Sequence, residues 1–407
     1  MTVTTNPPAP SAVQPAAPDQ ADFQLGQVAT ITSTHFLHDL YSAFLAPLLP
    51  LLIEKLSLSY TQAGSLSAFM QFPSLLNPLI GYLDDRINLR TLVILAPAVT
   101  ATTMSCLGLV PSYASLTLLL LITGLSIAAF HAPSPAMVVS VSGRQYGKGM
   151  SFYMAFGELG RTLGPLLATW GVALLSFEGM WRLAILGWLA TIVMYFRFRK
   201  ISMRIQRQSG FREMFPAATR LFIPLFLIVF ARSFLVTGLG VYLPTLLNTE
   251  GSSLWAAGSA LAIYQLAGVI GALAGGTVSD RLGRKPVLFV ATLVSPFLVF
   301  GFMNTTGWLK ILLLVLAGFL SLSAQPVMLA LVQDHLPRHR SVANGFFMAF
   351  SFLFQSSAAL LIGMMSDQAG IRSALLYTIL IGLTAAPVIL FLPKPHRPAE
   401  IGYKSNA

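Results

Sequence analysis

The sequence is poor in charge and almost without cysteine. Of its 407 residues only 10% are Asp, Glu, Lys or Arg, against about 25% in soluble domains, so there is too little charge to cover a water-exposed globule. The one cysteine, Cys106, sits in an apolar stretch. No internal disulfide, cysteine metal centre or thiol catalyst is therefore expected. The period-2 alternation that marks a membrane barrel is missing. The first 24 residues, MTVTTNPPAPSAVQPAAPDQADFQ, contain no Lys or Arg. They lack the basic start of a signal peptide and the arginines of a transit peptide, and their Pro and Ala content predicts a disordered tail over 1–24.

What is abundant is apolar: 55% of the chain, with a mean hydropathy of +0.73. The stretch 116–141 carries one ionisable group, His131, and 311–332 carries none. A helix needs about 20 such residues to cross a bilayer core. Counting these runs predicts an all-α membrane protein of twelve transmembrane helices, centred near residues 39, 70, 101, 128, 161, 190, 234, 266, 296, 321, 353 and 382. Pro73, Pro78, Pro133, Pro135 and Pro165 are expected to break or kink their helices. Gly160 with Gly164, and Gly271 with Gly275, are spaced to let helices approach closely.

The formal net charge is +11. Nineteen of the 25 Lys and Arg fall in even-numbered loops or the C-terminal tail. Four lie in odd loops (Lys55, Arg182, Lys310, Arg372) and two lie within spans (Arg161, Arg232). This bias predicts a multi-pass protein of the cell (inner) membrane with both termini cytoplasmic. It also assigns the basic charge to an anionic inner leaflet, not to nucleic acid.

Two charged stretches repeat. GYLDDRINLR at 81–90 matches GTVSDRLGRK at 276–285, pairing Gly81 with Gly276, Asp85 with Asp280 and Arg86 with Arg281 at an offset of 195 residues. A weaker echo, GMMSDQAG, occupies 363–370. The repeat predicts two six-helix bundles, 25–200 and 220–393, joined by a basic linker over 201–219 and followed by a tail over 394–407. Gly276, Gly283, Arg284 and Lys285 would suit a phosphate-holding turn after a strand. Between two membrane spans they read instead as a tight gating turn whose charges bridge helix ends.

Four ionisable groups stand near mid-span and near one depth: Asp39, Glu158, Arg161 and Arg232. Each costs about 2.5–3.5 kcal/mol to bury at a helix centre, which predicts a shared polar cavity. Glu158 and Arg161 are spaced i,i+3, and His35 and Asp39 i,i+4, so each couple can pair on its helix. Asp39, oriented by His35, is the expected proton carrier, with Glu158 bound to Arg161. Arg161, Arg232, His38, Tyr41, Gln71, His131, Tyr264, Gln265, Gln325 and Gln355 are candidate substrate contacts. His35 and His38 supply two metal ligands without a third, so no metal site is expected. No nucleophile with a base is visible, and an enzyme is not expected.

Twelve spans, a basic central loop and the G-x-x-x-D-R-x-G-R-K stretch after span eight resemble the major facilitator superfamily of transporters. In the first copy, Asn88 and Leu89 replace the Gly and Arg of that pattern. Gly160, Gly164 and Pro165 resemble the span-five signature of its proton-coupled exporters. THFLHDLYSAFLAPLLPLL at 34–52, SIAAFHAPSP at 126–135, GRTLGPLLA at 160–168 and LVQDHLPRHRSVANGFFMAF at 331–350 are similar to the fosmidomycin-resistance branch. That branch has Asn where His38 stands, and an acid after a His-Pro where Ala132-Pro133-Ser134 occurs here. The resemblance implies proton antiport through alternating access, exporting a small organic compound. Fosmidomycin is a phosphonate, an anion suited to two arginines. Protons are the coupling ion, no cofactor is implied, and a monomer suffices. Import of an organic acid or sugar by proton symport is the alternative, and a non-transporting membrane receptor or scaffold is another.

Overall fold

The computed structural model describes residues 23–84, 87, 89–199, 215–336 and 340–393. Asp85 and Arg86 of the first charged stretch, most of the predicted linker and both tails lie outside the described residues.

Twelve helical spans follow in order. The first half contains Leu25–Ser42 with Leu45–Leu56, Tyr60–Gln71 with Asn77–Asp84, Arg90–Ser105, Tyr113–His131 with Ser134–Ser142, Tyr146–Leu175, and Ala184–Phe198. The second contains Phe215–Thr249, Leu254–Leu282, Arg284–Asn304, Gly307–His335, Arg340–Ala369 and Ile371–Leu383. Nine of the described helices are long and apolar enough to cross a membrane. Span seven begins at Phe215, inside the stretch predicted as linker.

The interruptions have local causes. Span one breaks at Ala43 and Phe44, because Pro47 has no N–H to return to the Ala43 carbonyl. Span two passes through a 3-10 turn, Phe72–Leu76, that contains Pro73. Span four restarts after Pro133. Pro165, by contrast, lies inside an unbroken helix, where it removes one hydrogen bond without ending the run. The start of span two is fixed by a capping box in which Ser59 and Gln62 satisfy each other's backbone N–H groups.

The charged stretch at 276–285 is mostly helix, not loop. Span eight runs to Leu282 and span nine starts at Arg284, so the whole turn is Gly283 at φ +93°. A side chain at that angle would be strained. Gly370, at φ +80°, makes the same one-residue reversal between spans eleven and twelve.

Spans one and five pack face to face, as do spans eight and ten. A Cβ on Gly160 or Gly164 would collide with the carbonyl oxygens of Phe36 or Leu40, and one on Gly271 with that of Phe319. These glycines let the helix axes come together.

Among the described residues, the apolar core shared by the two halves lies at one end. One buried apolar cluster includes Leu48, Leu66, Leu239, Leu246 and Ile362, from both halves, at the end carrying residues 57–59 and 370. The two clusters toward the opposite end stay within single halves: Ile31, Ile94, Phe130 and Met137 in the first, Leu225, Ile228, Leu331 and Phe347 in the second. At the joined end Tyr242 donates to the Ala359 carbonyl at 2.7 Å, and Gly64 and Gly363 lie directly on the Ala359 and Tyr60 carbonyls. There Asp367, at the end of span eleven, accepts from the backbone N–H groups of Tyr60 at 2.6 Å and Thr61 at 2.8 Å.

Candidate functional site

Asp39 is the centre of a buried polar cluster. Its side chain is 1% exposed, and three groups from three spans touch it. His35 Nε2 lies at 3.3 Å, His131 Nε2 at 3.0 Å and Arg161 Nε at 3.2 Å. None of the three has the alignment of a hydrogen bond; Arg161 carries a standing charge, and each histidine carries one only when both its nitrogens are protonated. Around the carboxylate, His35 is rigidly held. Its Nδ1 is 2.8 Å from the Tyr153 carbonyl, which can only accept, so Nδ1 carries the proton and Nε2 faces Asp39. The ring stacks on Tyr153 at 3.8 Å, and a Cβ on Gly157 would run into it. Helical spacing alone brings His35 to Asp39, whereas His131 arrives from span four. No sequence spacing announces that contact.

Arg161 joins this cluster to the space between the halves. Its Nη2 lies 2.8 Å from Glu158 Oε1, and its side chain is 49% exposed. It lines a cleft of about 190 Å³ together with Glu158 and Thr162 from the first half and Val236, Gly240, Tyr264 and Gln265 from the second. One guanidinium therefore serves two carboxylates, Asp39 within the bundle and Glu158 at the cleft.

The other sequence candidates are distributed around this centre. His38 is fully buried, stacked on Phe130 at 4.3 Å, and neither ring nitrogen has a hydrogen-bond partner. Tyr41 donates to the Leu183 carbonyl at 2.5 Å, which ties span one to the start of span six. Arg232 is 5% exposed and lies within the second half, with Nη1 donating to Thr292 Oγ1 at 2.9 Å and Nη2 to the Ser321 carbonyl at 2.6 Å. Gln71, Gln325 and Gln355 are half-buried and are not among the residues that line the cleft. In the second charged stretch, Arg284 contacts Asp280 at 2.5 Å and Asp334 at 3.0 Å, and Lys285 donates to the Leu392 carbonyl. Asp280 pairs with Arg284 across the turn. A Cβ on Gly276 would meet open space.

A three-ligand set does come together, but without His38, which is stacked on Phe130. His35, Asp39 and His131 each offer one ligand atom, all within 4.8 Å of one another. Arg161 already lies against Asp39 Oδ2, so the carboxylate has a resident positive partner that opposes a metal cation.

Relatives share this architecture. The family profile described as Major Facilitator Superfamily matches residues 31–302 and 225–406. The fosmidomycin resistance protein of Escherichia coli is 27% identical over 404 residues, covering 95% of this chain and 97% of its own. An uncharacterized transporter of the same superfamily, YfnC of Bacillus subtilis, is 24% identical over 358 residues, with 84% and 87% covered. Among solved structures, a bacterial homolog of the human lysosomal transporter Spinster, in an inward-facing and occupied conformation, superposes with a TM-score of 0.80. It has 16% identity and covers 91% of this chain and 97% of its own. A D-xylose–proton symporter gives 0.74 at 17% identity, with 91% and 98% covered. At these identities the structural likenesses concern the fold alone. With most of its length matched by the family profile and twelve helices in two half-bundles, this chain belongs to the Major Facilitator Superfamily, as a membrane transporter and not an enzyme.

Proposed function

We propose that the protein exports a small organic anion in exchange for protons, by alternating access, with Asp39 as the proton carrier. The observation that supports this is the shared guanidinium: Arg161 touches Asp39 through Nε and Glu158 through Nη2, and it faces the cleft. Ionised Asp39 fixes the plane of Arg161, so the remaining N–H groups present an ordered fork to a phosphonate or carboxylate. A proton on Asp39 cancels that anchor, and Arg161 is left to Glu158. Substrate and proton then exclude one another, which is the condition for exchange. His131 is 29% exposed, and it is the ring through which a proton reaches the otherwise sealed carboxylate.

Export is favoured by the likeness to a fosmidomycin resistance protein. The basic even loops set both termini on the cytoplasmic side of the cell membrane. The joined end is then the outer one, and the cleft is oriented inward. One chain carries both walls of the cleft, so a monomer suffices. Protons are the only coupling ion required.

The same contact supports a second reading. By charge alone, an anion on Arg161 weakens its hold on Asp39 and favours a proton there. Anion and proton would then travel together, as in an importing symporter. The sign is measurable: the orientation effect makes substrate bind more tightly as Asp39 ionises, and the charge effect makes it bind less tightly.

Proteoliposomes holding a pH-sensitive dye, with fosmidomycin as probe, provide the test. Opposed fluxes of drug and protons are expected, with proton movement lost in Asp39→Asn. Parallel fluxes would replace export with symport, and undiminished proton movement in the variant would reject Asp39 as carrier.

A further inference from the structure

The buried charges of the two halves are balanced differently. Arg161 in the first half has two carboxylates. Arg232 in the second has a hydroxyl and a carbonyl, and among the described residues no carboxylate lies within ion-pair distance of it. A guanidinium does not shed its proton, and a buried charge without a counter-charge is costly. No described residue supplies that counter-charge, and a bound anion would.

The placement of Arg232 indicates the route. Val236 and Gly240 follow it by one and two helical turns on the same face of span seven, and both line the cleft. Leu322, the neighbour of the Ser321 whose carbonyl accepts from Arg232, lines it as well. Tyr264 stands in the cleft wall, is 1% exposed, and its hydroxyl faces that of Ser321 without an aligned hydrogen bond. Gln265 Oε1 has no hydrogen-bond partner. These polar groups stand between the cleft and an uncompensated cation.

Resting on the transporter reading above, we infer that Arg232 is the second anion-binding group of the cleft, reached when Tyr264 turns aside. The substrate class is a small molecule with a compact dianionic head, a phosphonate or a phosphate. Arg161 holds such a head from the first half and Arg232 from the second, which draws the two halves over the substrate. A monocarboxylate offers two oxygens, which one guanidinium fork fills, whereas a phosphonate or phosphate offers three and can meet a fork from each half. If Arg232 only ties spans seven, nine and ten together through Thr292 and Ser321, neither ligand dependence nor charge preference follows.

Thermal unfolding of the purified full chain in detergent, at fixed ionic strength, tests this with fosmidomycin, inorganic phosphate and acetate. Fosmidomycin is expected to stabilise the wild-type protein and acetate to leave it unchanged. A phosphate shift of equal size identifies the dianionic head itself as the ligand, and a smaller one shows that the organic part adds to it. Arg232→Met is expected to weaken fosmidomycin at least tenfold while melting, without ligand, no lower than wild type, because an unpaired buried charge has gone. Arg232→Lys, which keeps the charge but loses the planar fork, covers the case in which the Met variant does not fold, and it is expected to bind fosmidomycin more weakly. The inference is overturned if Arg232→Met melts lower yet binds fosmidomycin undiminished, if the lysine variant binds like wild type, if acetate stabilises as much as fosmidomycin, or if neither phosphonate nor phosphate stabilises the wild type. Proton coupling is read separately, in the Asp39→Asn fluxes, so either proposal can fail alone.

Discussion

Replacing Asp367 by Ala should open the joined end of the molecule. Its two carboxylate oxygens take the backbone N–H groups of Tyr60 and Thr61 across the interface between the halves, adding a foreign cap to a helix start that Ser59 already caps. Hydrogen bonds to a charged group are worth about 1.5–3 kcal/mol each when shielded, but these are exposed to solvent. Loss of a helix cap, about 0.5–2 kcal/mol, is the better guide. Once the halves part at this end the carboxylate and the helix start are solvated separately, so the loss falls on the closed state alone. A shift of about 1–2 kcal/mol moves the closed-to-open ratio by roughly 5- to 30-fold. The single cysteine makes the measurement practicable: with Cys106→Ser as background, spin labels at Glu54→Cys and Thr306→Cys report the separation of the halves by double electron–electron resonance. Asp367→Ala should raise the long-distance population, with Asp367→Asn intermediate because one acceptor oxygen remains. An unchanged distance distribution in a protein of normal thermal stability would refute the reasoning.

Two further substitutions test the packing and the charged turn. Gly160→Ala pushes a methyl group at the Phe36 carbonyl and should destabilise the pairing of spans one and five by about 1–3 kcal/mol, read as a lower melting temperature; unchanged melting would mean that the helices have room to spare. Arg284→Gln breaks contacts to Asp280 and Asp334, acids that are 64% and 39% exposed, so unfolding should change by less than about 1 kcal/mol; a larger loss in a chemical denaturation series would show that the pair is buried in use.

The fold could be read from the sequence because it is written in long-range averages: run length gives the spans, basic residues give the bias, and the 195-residue offset gives the halves. The polar centre was partly legible for a similar reason. A charge in the middle of an apolar run is visible without knowing its partner, so Asp39, Glu158, Arg161 and Arg232 stood out. Spacing supplied the contacts made along one helix, His35 to Asp39 and Glu158 to Arg161. It was silent on contacts between helices. His131 meets Asp39 from 92 positions away and Asp367 meets Tyr60 from 307. Only the rotation of each helix about its axis decides such pairs. His38 illustrates the converse, being adjacent to Asp39 in sequence yet turned onto Phe130. The charges of the 276–285 stretch point to a turn, but not to how short it is: all of it except Gly283 lies on the two flanking helices.

The seal at the joined end is made of main chain, with Gly64 against the Ala359 carbonyl and Gly363 against that of Tyr60. A glycine has nothing left to trim, so every mutation at either position adds bulk. Drift in this chain can therefore wedge that door but never tighten it. Any lineage that needs a firmer closure must find it in side chains beside the seam, such as Tyr242, and not in the hinge faces themselves.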